Sequence, residues 1–147
     1  MKTSARERAL LDTNLLVYAG DTRSQQHADS KALRMAAARG EIEAFVTTQI
    51  LLEYVSVVTN PKRTASPIGS AAAWIEVNRF MTAFPVLSPT SDDIREVGRL
   101  AESLNVSGPN IFDLSIAATA LRAEVSIIYT YDDATFSRIP GLTVRKP

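Results

Sequence analysis

The 147-residue chain has no cysteine, which excludes a disulfide framework, a thiolate metal site and a thiol nucleophile. Histidine is nearly absent as well: His27 is the only one, and a single imidazole cannot build a histidine-based metal cluster. No apolar run approaches the roughly 18 to 20 residues that a membrane span needs. Met1–Arg8 is polar and charged, without the apolar core of a secretory signal. These gaps lead to the expectation of a soluble, cytoplasmic protein with no membrane partner. Net charge is missing too, because sixteen basic and sixteen acidic residues cancel. The overall balance therefore lends no support to the electrostatic footprint of a general nucleic-acid binder. Distribution can override that sum. If four carboxylates were pooled at one metal site, sixteen basic residues would face twelve remaining acids, and the metal would reverse the sign of the site itself.

Apolar residues are plentiful, at 46% of the chain, and the length suits one domain with a substantial core. No internal repeat, linker or low-complexity tract divides it, so residues 1–147 are expected to form a single domain.

The organising stretch is Leu10-Leu11-Asp12-Thr13-Asn14-Leu15-Leu16-Val17-Tyr18-Ala19. An apolar run stops at an acid and is followed by small polar residues and helically spaced apolar ones, the pattern of a buried strand handing over to a helix. In open α/β sheets ligands bind beyond the carboxyl ends of the strands, so Asp12 is a site candidate. Its plainer role is to cap the helix that follows, for which Asp, Thr and Asn are all suited.

The rest of the chain repeats this alternation. Arg23–Arg39 has helical composition and stops at Gly40; His27 on it is expected to be a surface residue, and Arg23, Lys31 and Arg34 a solvated face rather than a phosphate contact. Glu43–Thr47 reads as a strand, Thr48 as the cap of a helix from Gln49 to about Thr59, and Asn60-Pro61 as its end. That helix is apolar on nearly every face apart from Glu53 and Ser56. A buried Glu53 would lose several kcal/mol of hydration unless an arginine or a bound cation compensated it, and the acid at the end of the first strand favours the cation. Lys62–Gly69 reads as a loop with two basic residues, Lys62 and Arg63.

Ser70–Thr82 reads as a helix with Trp74, Val77, Phe80 and Met81 at core spacing, Trp74 as packing rather than a base-stacking platform. Phe84–Leu87 is a short strand, and a helix to about Leu104 opens at Thr90-Ser91-Asp92-Asp93, whose two acids suit the helix dipole. Asn110–Arg122 is a further helix with Asn110 as cap, and Asp113 in its first turn resembles a capping-box acid. Only agreement with the other acids raises Asp113 to a site candidate. Val125–Tyr129 is a β-branched strand that exits into Thr130-Tyr131-Asp132-Asp133, repeating the logic of Asp12. Asp132 is preferred as the site acid, with Asp133 serving the turn after it. Leu142-Thr143-Val144 is a short last strand.

This order implies an α/β fold with a mainly parallel sheet covered by helices on both faces. Such a sheet would gather Asp12, Asp113 and Asp132 at its carboxyl edge, with Glu53 reaching in from a flanking helix. Clustered carboxylates without histidine or cysteine make a hard oxygen site suited to Mg²⁺ or Mn²⁺. With phosphate substrates, such a site activates water for phosphodiester chemistry.

The stretches LLDTNLLVYA, TTQILLEYVSVVTNPKR, NIFDLSIAATALR and IIYTYDDATFSRIPGLTV, in that order, resemble the PIN-domain family and, more narrowly, the ribonuclease toxins of VapBC toxin–antitoxin systems. The resemblance implies a three-layer α/β/α PIN-like fold and a metal-dependent endoribonuclease cutting structured RNA such as tRNA or rRNA, with Mg²⁺ as cofactor and Mn²⁺ able to substitute. It further implies a homodimer and a cognate VapB-type antitoxin. Carried over by position, the family's acids fall on Asp12, Glu53, Asp113 and Asp132, supported by Thr13, Asn14 and Thr130. Many relatives read Thr-x-Asn-x-x-Asp-Phe at the last motif, whereas this chain has Asp132 at the asparagine position and Thr135 beside Phe136. Two rivals are a PIN-fold RNA-processing nuclease and a non-catalytic PIN-fold binding module.

Overall fold

The computed structural model describes residues 4–147; the first three residues of the polar Met1–Arg8 stretch lie outside them. The elements in chain order are β1 (Arg8–Leu11), α1 (Thr13–Gly20), α2 (His27–Ala38), β2 (Glu43–Thr47), α3 (Thr48–Val58), α4 (Ser70–Ala83) and β3 (Val86–Leu87). They continue with α5 (Ser91–Leu104), α6 (Ile111–Arg122), β4 (Ile127–Tyr129) and β5 (Thr143–Arg145). Short 3₁₀ turns, Gly108–Asn110 and Phe136–Arg138, precede α6 and β5.

The strands form one sheet in the order β3-β2-β1-β4-β5, and every pairing is parallel. β1 is central, and Ala9, Leu10 and Leu11 are fully buried, as a parallel strand covered on both faces requires. The connections from β1 to β2 and β2 to β3 step outward in one direction, and the return from β3 to β4 reverses it. Right-handed crossovers then put α1–α4 on one face and α5–α6 on the other. The packing agrees, since α1 lies on α2 and α3, α3 on α4, and α5 on α6. Strand order reverses about β1, so the crevice of this sheet lies beyond the carboxyl ends of β1 and β4.

The expected elements are all present, with shifted ends. α2 starts at His27 rather than Arg23, because the Ser24 hydroxyl accepts the Gln26 N–H at 3.1 Å and closes a turn first. The cap of α3 is Thr47, not Thr48: the Thr47 hydroxyl accepts the Ile50 N–H at 3.1 Å. Asn110 makes no side-chain cap, because the 3₁₀ turn runs straight into α6 with Asn110 already in helical conformation. On α4, Ala73, Val77 and Phe80 are buried, but Trp74 and Met81 are 44% and 52% exposed. One helical face reaches the core there, and the other two large residues lie off it. α3 is likewise less enclosed than its sequence suggests, with Leu52 57% exposed. His27 is half-buried and bonds the Tyr18 carbonyl through Nδ1 at 3.0 Å, joining the end of α1 to the start of α2.

Asp93 is buried and completes a capping box with Thr90. Burial pushes its carboxyl up, but the Thr90 N–H and the Arg122 guanidinium outweigh this and hold it below the ordinary carboxylate value. Arg122 Nε donates to it at 2.8 Å, tying α5 to α6. Asp92, by contrast, is exposed and pairs only with Arg95 one turn on. Asp93→Ala should therefore lower unfolding stability by roughly 1–3 kcal/mol in denaturant titration, while Asp92→Ala leaves the midpoint nearly unchanged.

Candidate active site

Asp12 ends β1 and begins α1, so its carboxylate serves both readings of the sequence. Oδ1 accepts the Thr13 N–H at 2.8 Å, which caps the helix. Oδ2 accepts the Thr130 hydroxyl at 2.7 Å, reaching across from the end of β4. The residue is 6% exposed.

Thr130 is the hub of the adjoining loop. Besides donating to Asp12, its Oγ1 accepts Asn14 Nδ2 at 3.1 Å and the Asp132 N–H at 3.0 Å. Asn14 Oδ1 in turn accepts the Tyr131 N–H at 3.2 Å. Thr13 and Asn14, on the first turn of α1, thus serve opposite sides of the site: the Thr13 hydroxyl donates to Glu53 Oε2 at 3.1 Å. Glu53 is half-buried on α3, and Gln49, one turn earlier, donates to its Oε1 at 2.9 Å.

Asp113 is half-buried in the first turn of α6. Asp132 is exposed on the loop after β4. Asp12, Glu53, Asp113 and Asp132 all line one cleft of about 710 Å³, whereas Asp133 does not. The Asp133 carbonyl instead accepts the Ser137 N–H at 2.9 Å and opens the second 3₁₀ turn. Of the two neighbouring acids, only Asp132 lines the cleft.

The electrostatics follow from that convergence. Burial raises Asp12 to about 6, aided by the charges of Glu53 and Asp132 and opposed by the Thr130 hydroxyl and the Thr13 N–H. Burial raises Asp113 further, to about 7, with the charges of Asp12, Glu53 and Asp132 adding to it and the Thr135 hydroxyl opposing them. Nine ion pairs occur among the described residues, and none involves any of these four acids. Among the described residues no three acidic or histidine side chains are drawn together into a ready coordination set; the four carboxylates face the cleft from separate elements. An all-oxygen, uncompensated anionic set of this kind fits a hard divalent cation.

Of the basic residues singled out in the sequence, Arg63 lines the cleft, while Arg23 and Lys62 do not. Arg23 pairs with Asp21 at 3.4 Å, and Arg34 lies 4.8 Å from the Phe80 ring centre and 3.7 Å from Glu76. Sequence reasoning missed three supporting groups. Gln49 was visible in principle, one helical turn before Glu53. Thr135 and the Ser30–Tyr131 hydroxyl pair at 2.9 Å, which ties α2 to the Asp132 loop, leave no local signal, because their partners are distant in the chain.

An acid whose folded value lies above its unfolded value near 3.9 binds its proton more tightly in the native state, so stability falls as pH rises. In EDTA, the Asp12 and Asp113 contributions should be favourable at about pH 4 and lost by about pH 7. Denaturant midpoints measured across that range should decline, and the double variant Asp12→Asn/Asp113→Asn should flatten the decline.

Comparison with known proteins bears on the family and the fold. The family model described as PIN domain matches residues 9–142. A VapC ribonuclease of Mycobacterium bovis and ribonuclease VapC43 of Mycobacterium tuberculosis are each 28% identical over 139 residues, covering 93% of this chain and 93% of the relative. Among solved structures, Mycobacterium tuberculosis VapC20, described as a sarcin-ricin loop cleaving toxin, superposes with a TM-score of 0.71 at 15% identity, covering 95% of this chain and 99% of that one. VapBC-1 of nontypeable Haemophilus influenzae gives 0.67 at 20% identity, with 95% and 97% covered. These likenesses show the α/β/α fold. The match of the family model across nearly the whole chain, from β1 to the residue before β5, establishes that this chain belongs to the PIN-domain family.

Proposed function

We propose that this chain is a metal-dependent endoribonuclease of the VapC type, the toxin of a type II toxin–antitoxin pair, hydrolysing phosphodiester bonds in structured RNA such as tRNA or rRNA. The observation that carries the proposal is the convergence of Asp12, Glu53, Asp113 and Asp132 on one cleft, none of them in an ion pair. The printed names of the curated relatives support the ribonuclease reading.

Asp12, Glu53, Asp113 and Asp132 would hold Mg²⁺, with Mn²⁺ able to substitute. A cation bound there supplies a water of lowered pKa and neutralises charge on the departing oxygen. The chain's own residues prepare the anionic set. Thr130 fixes Asp12 Oδ2 and, by accepting the Asp132 N–H, sets the path of the backbone that carries Asp132. Thr13 and Gln49 hold the two oxygens of Glu53. Asn14 braces Thr130 and Tyr131 from α1. Thr13, Asn14 and Thr130 are thus positioning residues.

The proposal extends to the setting. Residues 1–147 act as one PIN domain in the cytoplasm, as a homodimer, and are silenced by a cognate VapB-type antitoxin. Support for the partner comes from neighbours solved as toxin–antitoxin complexes, including those of Haemophilus influenzae and Klebsiella pneumoniae. No helix among the described residues is long and apolar enough to cross a membrane.

The test is incubation of the purified protein, free of antitoxin, with total cellular RNA in Mn²⁺ or EDTA, followed by mapping of new 5′ ends. Discrete cuts are expected in Mn²⁺ and not in EDTA. Asp12→Asn should reduce them by at least about 100-fold, and Thr130→Val, which keeps shape but loses the hub hydroxyl, by roughly 10- to 100-fold. Undiminished cutting by Asp12→Asn would remove that residue from the mechanism. A folded protein that neither cuts RNA nor gains thermal stability from Mn²⁺ would favour the binding-module alternative.

A further inference from the structure

Among the side chains that line the acid cleft without holding a carboxylate, two stand out. Phe112 is 51% exposed, although the other phenylalanines, Phe45, Phe80, Phe84 and Phe136, are at most 5% exposed. It precedes Asp113 on the first turn of α6 and lines the same cleft, while Leu114, Ile116 and Ala117 carry the buried side of that helix. A single exposed apolar residue needs no explanation by itself. The second feature gives it one.

Arg63 also lines the cleft. Every other arginine engages its guanidinium with a carboxylate or a carbonyl. Among the described residues the Arg63 guanidinium has no such partner; only its backbone N–H is bonded, to the Asn60 carbonyl at 2.9 Å. The other aromatic residues of the cleft are engaged, Tyr18 edge-to-face with Tyr131 and Phe136 buried, so four anionic groups, one unpaired guanidinium and the exposed Phe112 ring share one cleft. A nucleotide strand has the matching parts: a reacting phosphodiester, a neighbouring phosphate and a base with a π face. Stacking on an aromatic ring requires that base to be unpaired and splayed from its neighbours.

We propose that Phe112 is a stacking platform for an unpaired nucleobase flanking the phosphodiester at the acids, and that Arg63 holds a neighbouring phosphate. This rests on the nuclease reading and adds to it how the strand is seated. Phe112 acts through its π face and is tolerant of base identity. Arg63 acts through charge and is indifferent to whether a base is present.

Binding is measured by fluorescence anisotropy in the Asp12→Asn background, so that the strand is held without being cut. One probe is a single-stranded oligoribonucleotide of mixed sequence, and the other an abasic ribose-phosphate strand of equal length. Phe112→Leu should weaken the base-bearing probe about tenfold and leave the abasic one unchanged, whereas Phe112→Tyr stays within about twofold of the parent on both. Arg63→Gln should weaken both probes equally and lower the salt slope by about 0.7. In the otherwise unmodified protein, Phe112→Leu should retain the Mn²⁺-induced rise in Tm.

Equal binding of the base-bearing probe by Phe112→Leu and its parent would overturn the stacking role alone, as would an equal loss on both probes. A weaker binding that coincides with a change of oligomeric state in light scattering would assign Phe112 to a subunit contact instead. Failure of the Asp12→Asn parent to bind either probe, together with no Mn²⁺ stabilisation of the unmodified protein, would overturn the nuclease reading and this proposal with it.

Discussion

The constraint on which the site depends is the repulsion among carboxylates held in one cleft with no ion pair to offset them. Asp12 is buried at the end of the central strand, and its charge is opposed by burial and by Glu53 and Asp132. Asp113 meets the same charges from α6. Left to itself, such a group is destabilising above the pH at which it ionises. The fold tolerates it because hydroxyl and amide donors from Thr13, Gln49, Thr130 and the Thr13 backbone are aimed at the oxygens. These donors orient the acids without neutralising them, leaving the anionic set available to a cation.

Topology delivers the acids to one place. A parallel sheet that winds outward through β2 and β3 and then returns to place β4 on the other side of β1 opens a crevice where the winding reverses. Asp12 and Asp132 stand at the two strand ends that border it. Helices from the opposite faces reach over this edge, and the contact between α3 and α6 brings Glu53 and Asp113 toward the same opening. The Asp93–Arg122 bridge ties α6 to α5 at the far end of the helix from Asp113.

Much of this was legible in the sequence, because strand ends that run into acids are a local signal. Asp12 and the Asp132 loop each announce themselves within ten residues, and the alternation of elements is enough to imply the parallel sheet. Glu53 was legible as a charge in an apolar helix, though α3 proved more exposed at Leu52 than its composition suggested. Asp113 was the hardest to separate from a plain helix-terminal acid. The absence of a side-chain cap at Asn110, which removes the capping-box reading of Asp113, shows only once the backbone conformation is known. What the sequence hid is what depends on contacts between distant residues. Trp74 and Met81 have core spacing but turn outward, the Ser30–Tyr131 pair spans the chain, and the contrast between an engaged Arg34 and an unpaired Arg63 is a matter of three-dimensional surroundings.

The central claim is that Asp12, Glu53, Asp113 and Asp132 form a divalent-cation site. The most direct measurement is calorimetric titration of the antitoxin-free protein with Mn²⁺ in buffers of different ionisation enthalpy, which counts the protons released on binding. With Asp12 raised to about 6 and Asp113 to about 7, binding at pH 6 should expel roughly one proton per ion, falling toward zero by about pH 8. Binding without proton release at pH 6, or no binding at either pH, would contradict the account.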